Sequence, residues 1–210
     1  MRIAVAGANG RTGTHVVIQA LARGHEVTAL ARRPDTVTHY DPQLRVTAAD
    51  VLERESLAGP LTGVDAVVSA LGIATSRQPT VVYSQGIANI LDVMHDNGIC
   101  VLSAISAIPA APRGDQPSLQ RHIVMPILDR FFGATYDDMR RMESALAKSE
   151  VDWVTLRPPR LLDRPASGSY RISSHPIIGA RSLTLPDLAT ALLDTLNRAD
   201  LYRKALYVAS

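Results

Sequence analysis

The 210-residue sequence contains a single cysteine, Cys100, so no disulfide can form within the chain. Cys100 stands among Ile99, Val101 and Leu102, a setting that predicts a buried, unreactive thiol. Lysine is almost absent too, with only Lys148 and Lys204, and the positive charge is carried by scattered arginines at a formal net charge of +2. A balanced charge without a basic stripe argues against a nucleic-acid partner. No apolar run approaches the roughly 20 residues of a membrane span, and Met1-Arg2-Ile3-Ala4-Val5 runs straight into a glycine loop without a signal-peptide layout. The expectation is a cytoplasmic protein, monomer or homodimer, that meets a small molecule rather than a membrane. Its six histidines show no metal-ligand spacing. A Gly-x-Ser-x-Gly elbow is missing as well, which weighs against a serine hydrolase of the α/β type.

What is present is an alternation of short β-branched runs and helical stretches, the pattern of a doubly wound parallel sheet with helices on both faces, in one domain over 1–210. Strands are predicted at Ile3–Ala6, Glu26–Leu30, Leu44–Thr47, Ala66–Ala70, Ile99–Ser103, Val151–Leu156 and Ala205–Val208, mostly as continuous apolar runs covered on both faces. Helices are predicted at Thr14–Arg23, Val81–Asn97, Asp137–Ser149 and Pro186–Arg198. Two proline-bearing segments, about 106–136 and 158–180, follow late strands and are read as substrate-side loops at the ligand crevice. His122 falls in the first and is read as a surface residue.

Gly7, Gly10 and Gly13 follow the first strand at equal spacing and open the first helix, within Gly7-Ala8-Asn9-Gly10-Arg11-Thr12-Gly13. A strand, a tight turn and a helix N-terminus set backbone N–H groups and the positive end of the helix against a pyrophosphate. Gly7 permits the turn, Gly10 the close approach of phosphate, and Gly13 helix–strand packing. Arg32 stands 19 residues after Gly13, where NAD-binding folds place an acid for the ribose 2′-hydroxyl, and Arg33 follows it. A guanidinium cannot accept that hydroxyl proton but grips a 2′-phosphate, so NADPH is favoured over NADH.

Together with Ala31-Arg32-Arg33-Pro34, Ala49-Asp50-Val51, Asp152–Pro159 and Ser182–Ala189, the glycine loop resembles the atypical short-chain dehydrogenase/reductases. The similarity extends to NAD(P)H-binding proteins of the biliverdin-IXβ reductase/flavin reductase type and to NmrA-like proteins. The resemblance implies that Asp50 and Val51 flank the adenine, that Ala70, Leu71 and Gly72 border the ribose and phosphates, that Ser106 lies near the nicotinamide, and that Pro158 and Pro159 wall its pocket. By residue type, Asp50 equally suits a helix cap and Ser106 an ordinary turn.

The Tyr-x-x-x-Lys pair of the wider superfamily is absent, because Ser144 precedes Lys148 and Asp200 precedes Lys204 at that spacing. Tyr136 and Arg140 are the nearest substitute, on one helix face, with Tyr136 either a substrate-site residue or a packing residue. These parts fit hydride delivery from NADPH to a flavin-, quinone- or tetrapyrrole-like acceptor that needs little proton assistance. An NmrA-like redox sensor without turnover is the alternative, and an epimerase a third reading.

Overall fold

The computed structural model of the chain describes residues 1–73, 78–112, 114 and 125–210, with the backbone alone for 125–129. Among the described residues, ten strands and five α-helices run in the order β1 (Arg2–Ala6), α1 (Arg11–Ala22), β2 (Glu26–Ala31), β3 (Leu44–Ala48), α2 (Arg54–Ala58), β4 (Ala66–Ser69), α3 (Ser84–Asp96), β5 (Val101–Ile105), α4 (Met125–Lys148), β6 (Asp152–Arg157), β7 (Arg160–Leu162), β8 (Arg171–Ser173), β9 (Ser182–Thr184), α5 (Leu185–Thr195) and β10 (Lys204–Ala209). Eight strands form one sheet in the order β3-β2-β1-β4-β5-β6-β10-β8, while β7 and β9 pair separately. Only the β8–β10 pairing in the large sheet is antiparallel. The doubly wound α/β reading therefore holds, and the chain reverses its direction of winding between β1 and β4, where such sheets open a ligand crevice.

Alternation along β1 builds both cores at once, since successive side chains leave a strand on opposite faces. Ile3 and Val5 face one layer with Val16, Val17 and Ala20 of α1 and Leu188 and Leu192 of α5. Ala4 and Ala6 face the other with Ile87, Ile90 and Met94 of α3 and Met142 and Leu146 of α4. Small residues on β1 let the helices sit close to the sheet beside the crevice.

Several elements depart from expectation. α4 begins at Met125, twelve residues before Asp137, so part of the first proline-bearing segment is helix. Pro126 lies in its first turn, where a missing N–H costs nothing. The second segment carries the three-residue strands β7 and β8, with β9 just after it, all too short to show a period. Cys100 is exposed rather than buried, because it precedes β5 in the turn after α3; its thiol lies 3.6 Å from the Gly98 carbonyl. His122 lies outside the described residues.

Helix α5 shows how this chain closes a helix N-terminus. Thr184 Oγ1 accepts the Asp187 N–H at 3.2 Å. The buried Asp187 carboxylate takes the Ser167 N–H at 2.9 Å and hydroxyl at 2.7 Å, the Thr184 hydroxyl at 2.7 Å and the Gly168 N–H at 3.2 Å. Burial alone would push this carboxyl up, but those hydrogen bonds outweigh it and hold Asp187 below the ordinary aspartate value.

Candidate functional site

Helix α1 is finished differently. No side chain caps it and no acid stands in its first turn, so the free N–H groups there meet no side-chain acceptor among the described residues. The turn leading in requires glycine twice for steric reasons. Gly7 adopts φ +77°, and a Cβ there would lie 2.6 Å from the Ala70 carbonyl oxygen; a Cβ on Gly13 would lie 2.0 Å from the Gly7 carbonyl oxygen. Gly10 is the N-cap, its N–H donated to Gly7 O at 2.9 Å, and a Cβ there meets that same oxygen at 3.1 Å.

This open helix end borders a cavity of about 690 Å³. Gly7, Asn9, Gly10, Arg11, Thr12, Arg32, Asp50, Val51, Ala70, Leu71, Gly72, Ser106, Pro158 and Pro159 all line it, so residues far apart in sequence meet in one crevice. Gly13 and Arg33 are not part of the lining. Gly13 packs against the Gly7 backbone, and Arg33 is exposed, its carbonyl accepting from the Thr36 N–H and hydroxyl at 3.1 and 2.7 Å.

At the far side of the glycine loop the lining is Leu30, Ala31, Arg32 and Ala49–Leu52. Arg32 is exposed and forms no ion pair among the described residues, leaving its guanidinium for a phosphate. Asn9 Nδ2 donates to Thr36 Oγ1 at 2.8 Å, which ties the glycine loop to the turn carrying Arg32. Asp50 accepts the Leu52 N–H at 3.0 Å, so it closes a local turn while lining the cavity. Asn89, buried on α3, donates to the Val51 carbonyl at 2.8 Å and fixes this wall. Asn89 is a polar residue on the apolar face that also holds Ile87 and Ile90, a signal the helical periodicity contained but the motif reading passed over.

The opposite end is lined by Ile73, Val82, Tyr83, Ile105, Ser106, Ala107, Met139, Pro158, Pro159, Leu161 and Leu185, with no ionised side chain among these described residues. The Ser106 N–H donates to Leu156 O at 2.8 Å, while its Oγ is buried without a partner. An unpaired buried hydroxyl in a cavity wall is a group that a ligand can satisfy. Before Pro158, the buried Arg157 guanidinium makes a two-point pair with Glu143 of α4 at 2.9 and 2.6 Å and lies 5.6 Å from the centre of the Tyr207 ring. That pair anchors the end of β6 where the pocket wall begins.

Tyr136 is half-buried on α4 beside Phe132, with ring centres 6.1 Å apart, and is not part of the cavity lining. Arg140 is engaged elsewhere, pairing with Asp137 and donating to Pro109 O at 2.8 Å. The tyrosine that does line the cavity is Tyr83, whose position just before α3 no motif marked.

A family model described as NAD(P)H-binding matches residues 7–199. Among curated relatives, the uncharacterised protein YwnB of Bacillus subtilis is 27% identical over 213 residues, covering 95% of this chain and 94% of that protein. A 3-diazoavenalumate denitrifying reductase of Streptomyces is 30% identical over 171 residues, covering 75% of this chain and 55% of that protein. Across the curated relatives named by these comparisons, this chain spans between 14% and 94% of their length. The anaerobilin reductase ChuY of Escherichia coli O157:H7 superposes with a TM-score of 0.82 at 20% identity, over 100% of this chain and 97% of that one. A short-chain dehydrogenase/reductase of Veillonella parvula in complex with NADP gives 0.81 at 15% identity, over 100% and 94%. These likenesses bear out the fold, and the family match bears out the dinucleotide-binding resemblance drawn from the glycine loop. No helix among the described residues is long and apolar enough to cross a membrane.

Proposed function

We propose that this chain, which belongs to the NAD(P)H-binding family, is an NADPH-dependent reductase for a planar conjugated acceptor of the flavin, quinone or linear tetrapyrrole kind. The observation that carries this reading is the asymmetry of the cavity. One end offers the uncapped α1 N-terminus and the unpaired Arg32, and the other is apolar with the orphaned Ser106 hydroxyl. Steric demand fits the group as well, since the loop around Gly7 and Gly13 leaves room only for glycine and brings backbone N–H groups to the cavity.

Gly10, Arg11 and Thr12 would hold the pyrophosphate, Arg32 the 2′-phosphate, and Asp50 and Val51 the adenine. Ser106 would sit at the nicotinamide, with Pro158 and Pro159 as its wall. A bound reduced nicotinamide supplies the hydride. The chain's own contribution is to hold an acceptor against it in a water-poor pocket, an orientation effect. No Tyr-x-x-x-Lys pair stands ready to protonate a product, so acceptors that solvent can protonate are favoured. The names of the Streptomyces and Escherichia coli proteins, both reductases, support the reaction class.

The test is NADPH oxidation by the purified protein against flavins, quinones and linear tetrapyrroles. Acceleration above buffer with at least one of them is the expected result. Tight NADPH binding without turnover on any acceptor would make the chain a redox sensor instead.

A further inference from the structure

Two polar side-chain groups border the apolar end of the cavity, the Ser106 hydroxyl and the Tyr83 phenol. Tyr83 is anchored through its backbone. Its backbone N–H donates at 2.9 Å to Asp138, a fully buried carboxylate reaching across from α4. Asp138 also takes the Ser84 N–H at 3.3 Å and the Ser84 hydroxyl, and Arg141 closes its other side at 3.0 Å. Burial is the main cause that raises the Tyr83 pKa, opposed by the Ile73 backbone and reinforced by Asp138 and Tyr136, so the phenol keeps its proton at neutral pH. The phenol is therefore a donor lining the cavity, and no hydrogen bond from it to another described residue is seen.

We propose that Tyr83 donates this hydrogen bond to a carbonyl oxygen of the acceptor, so that the site selects planar acceptors bearing a ring carbonyl, with Asp138 as the residue that positions it. A buried donor that goes unpaired is costly, so the pocket discriminates against a flat hydrocarbon of equal area that offers no oxygen. The inference rests on the reading that this end of the cavity takes the acceptor. It does not depend on turnover.

The experiment is equilibrium dialysis of 1,4-naphthoquinone and of naphthalene, with NADP⁺ present so that no reduction occurs. Tyr83→Phe keeps the ring and removes only the hydroxyl. The expected result is a loss of about threefold to tenfold in naphthoquinone affinity, the worth of one neutral hydrogen bond, with naphthalene unchanged. Asp138→Asn should lower the same quinone-to-naphthalene ratio, whereas a residue that only stabilised the fold would lower the melting temperature and leave the ratio alone. An unchanged ratio in Tyr83→Phe overturns the proposal. So does a drop in NADP⁺ affinity without a change in the ratio, which would put Tyr83 on the dinucleotide, or transfer of the effect to Tyr136→Phe. Failure of wild-type protein to oxidise NADPH would overturn the reductase reading while leaving the quinone ratio as a separate result.

Discussion

Removing Glu143 strands a charge. The Arg157 and Glu143 side chains are 8% and 12% exposed, and Glu143 takes both the Arg157 Nε and a terminal nitrogen. In Glu143→Ala the guanidinium loses both bonds to the carboxylate and keeps the Tyr207 side chain beside it. Breaking a buried pair from one side costs about 3–5 kcal/mol, because the partner is left desolvated and uncompensated. For a domain of this size each kcal/mol lowers the melting temperature by about 2–4 °C, so the drop should be roughly 6–20 °C by calorimetry. The double variant Glu143→Leu/Arg157→Met removes both charges and fills similar volume, and it should recover most of the loss. A fall below about 3 °C in Glu143→Ala would mean that the pair behaves as an exposed one, worth about 1 kcal/mol or less, and would refute the assignment of a buried anchor at the end of β6.

Arg32→Ala should weaken NADPH by about tenfold to a hundredfold in calorimetric titration, the worth of a charge-assisted bond, and leave NADH little changed; equal loss for both would remove Arg32 from the 2′-phosphate. Gly13→Ala should destabilise the fold far more than Gly10→Ala, because its Cβ would stand 2.0 rather than 3.1 Å from the Gly7 carbonyl oxygen. Equal melting points would contradict that geometry. Tyr136→Phe should slow any measured reductase activity by less than roughly tenfold, short of the 10²–10⁴ typical of a general acid, since Arg140 is engaged with Asp137 and Pro109. The lowered Asp187 pKa contributes stability that is present above the ordinary aspartate value and lost as pH falls through the folded-state value. Asp187→Asn should therefore flatten the acid limb of stability against pH in denaturant titrations, and an unaltered limb would count against the hydrogen-bonded carboxylate.

The glycine loop was legible because its chemistry is local. A strand, three glycines and a helix occupy Arg2–Ala22, and the steric reason for each glycine lies within that stretch or against Ala70. The same holds for α5, whose proline and threonine announce its start. The early turns of α4 were hidden by Pro126, which placed them in a segment read as loop, although proline is tolerated in a first turn. Strands β7, β8 and β9 owe their existence to partners supplied by distant segments, with Arg160 opposite Ser182 and Tyr207 opposite Ser173. Cys100 misled through its apolar neighbours, since position at a strand's edge outweighed the company it keeps in sequence.

The polar residues that shape the candidate site share a different property: each is meaningful only through a contact made across the fold. Asp138 reaches the start of α3, Asn89 the loop after β3, Glu143 the end of β6, and Asp187 the loop at Ser167. Asp138, Asn89 and Glu143 fix segments that line the crevice or adjoin its lining. Helix α3 thereby has its first N–H donors occupied by the Asp138 carboxylate and α5 has one taken by the Thr184 hydroxyl, whereas α1 has no such side-chain partner. A chain that closes two helix ends with its own side chains and leaves the third open makes that third end the place where an external anion lowers the free energy most. The withheld cap at α1, set among glycines that admit no side chain, therefore argues for the dinucleotide site from physical chemistry independent of the family match.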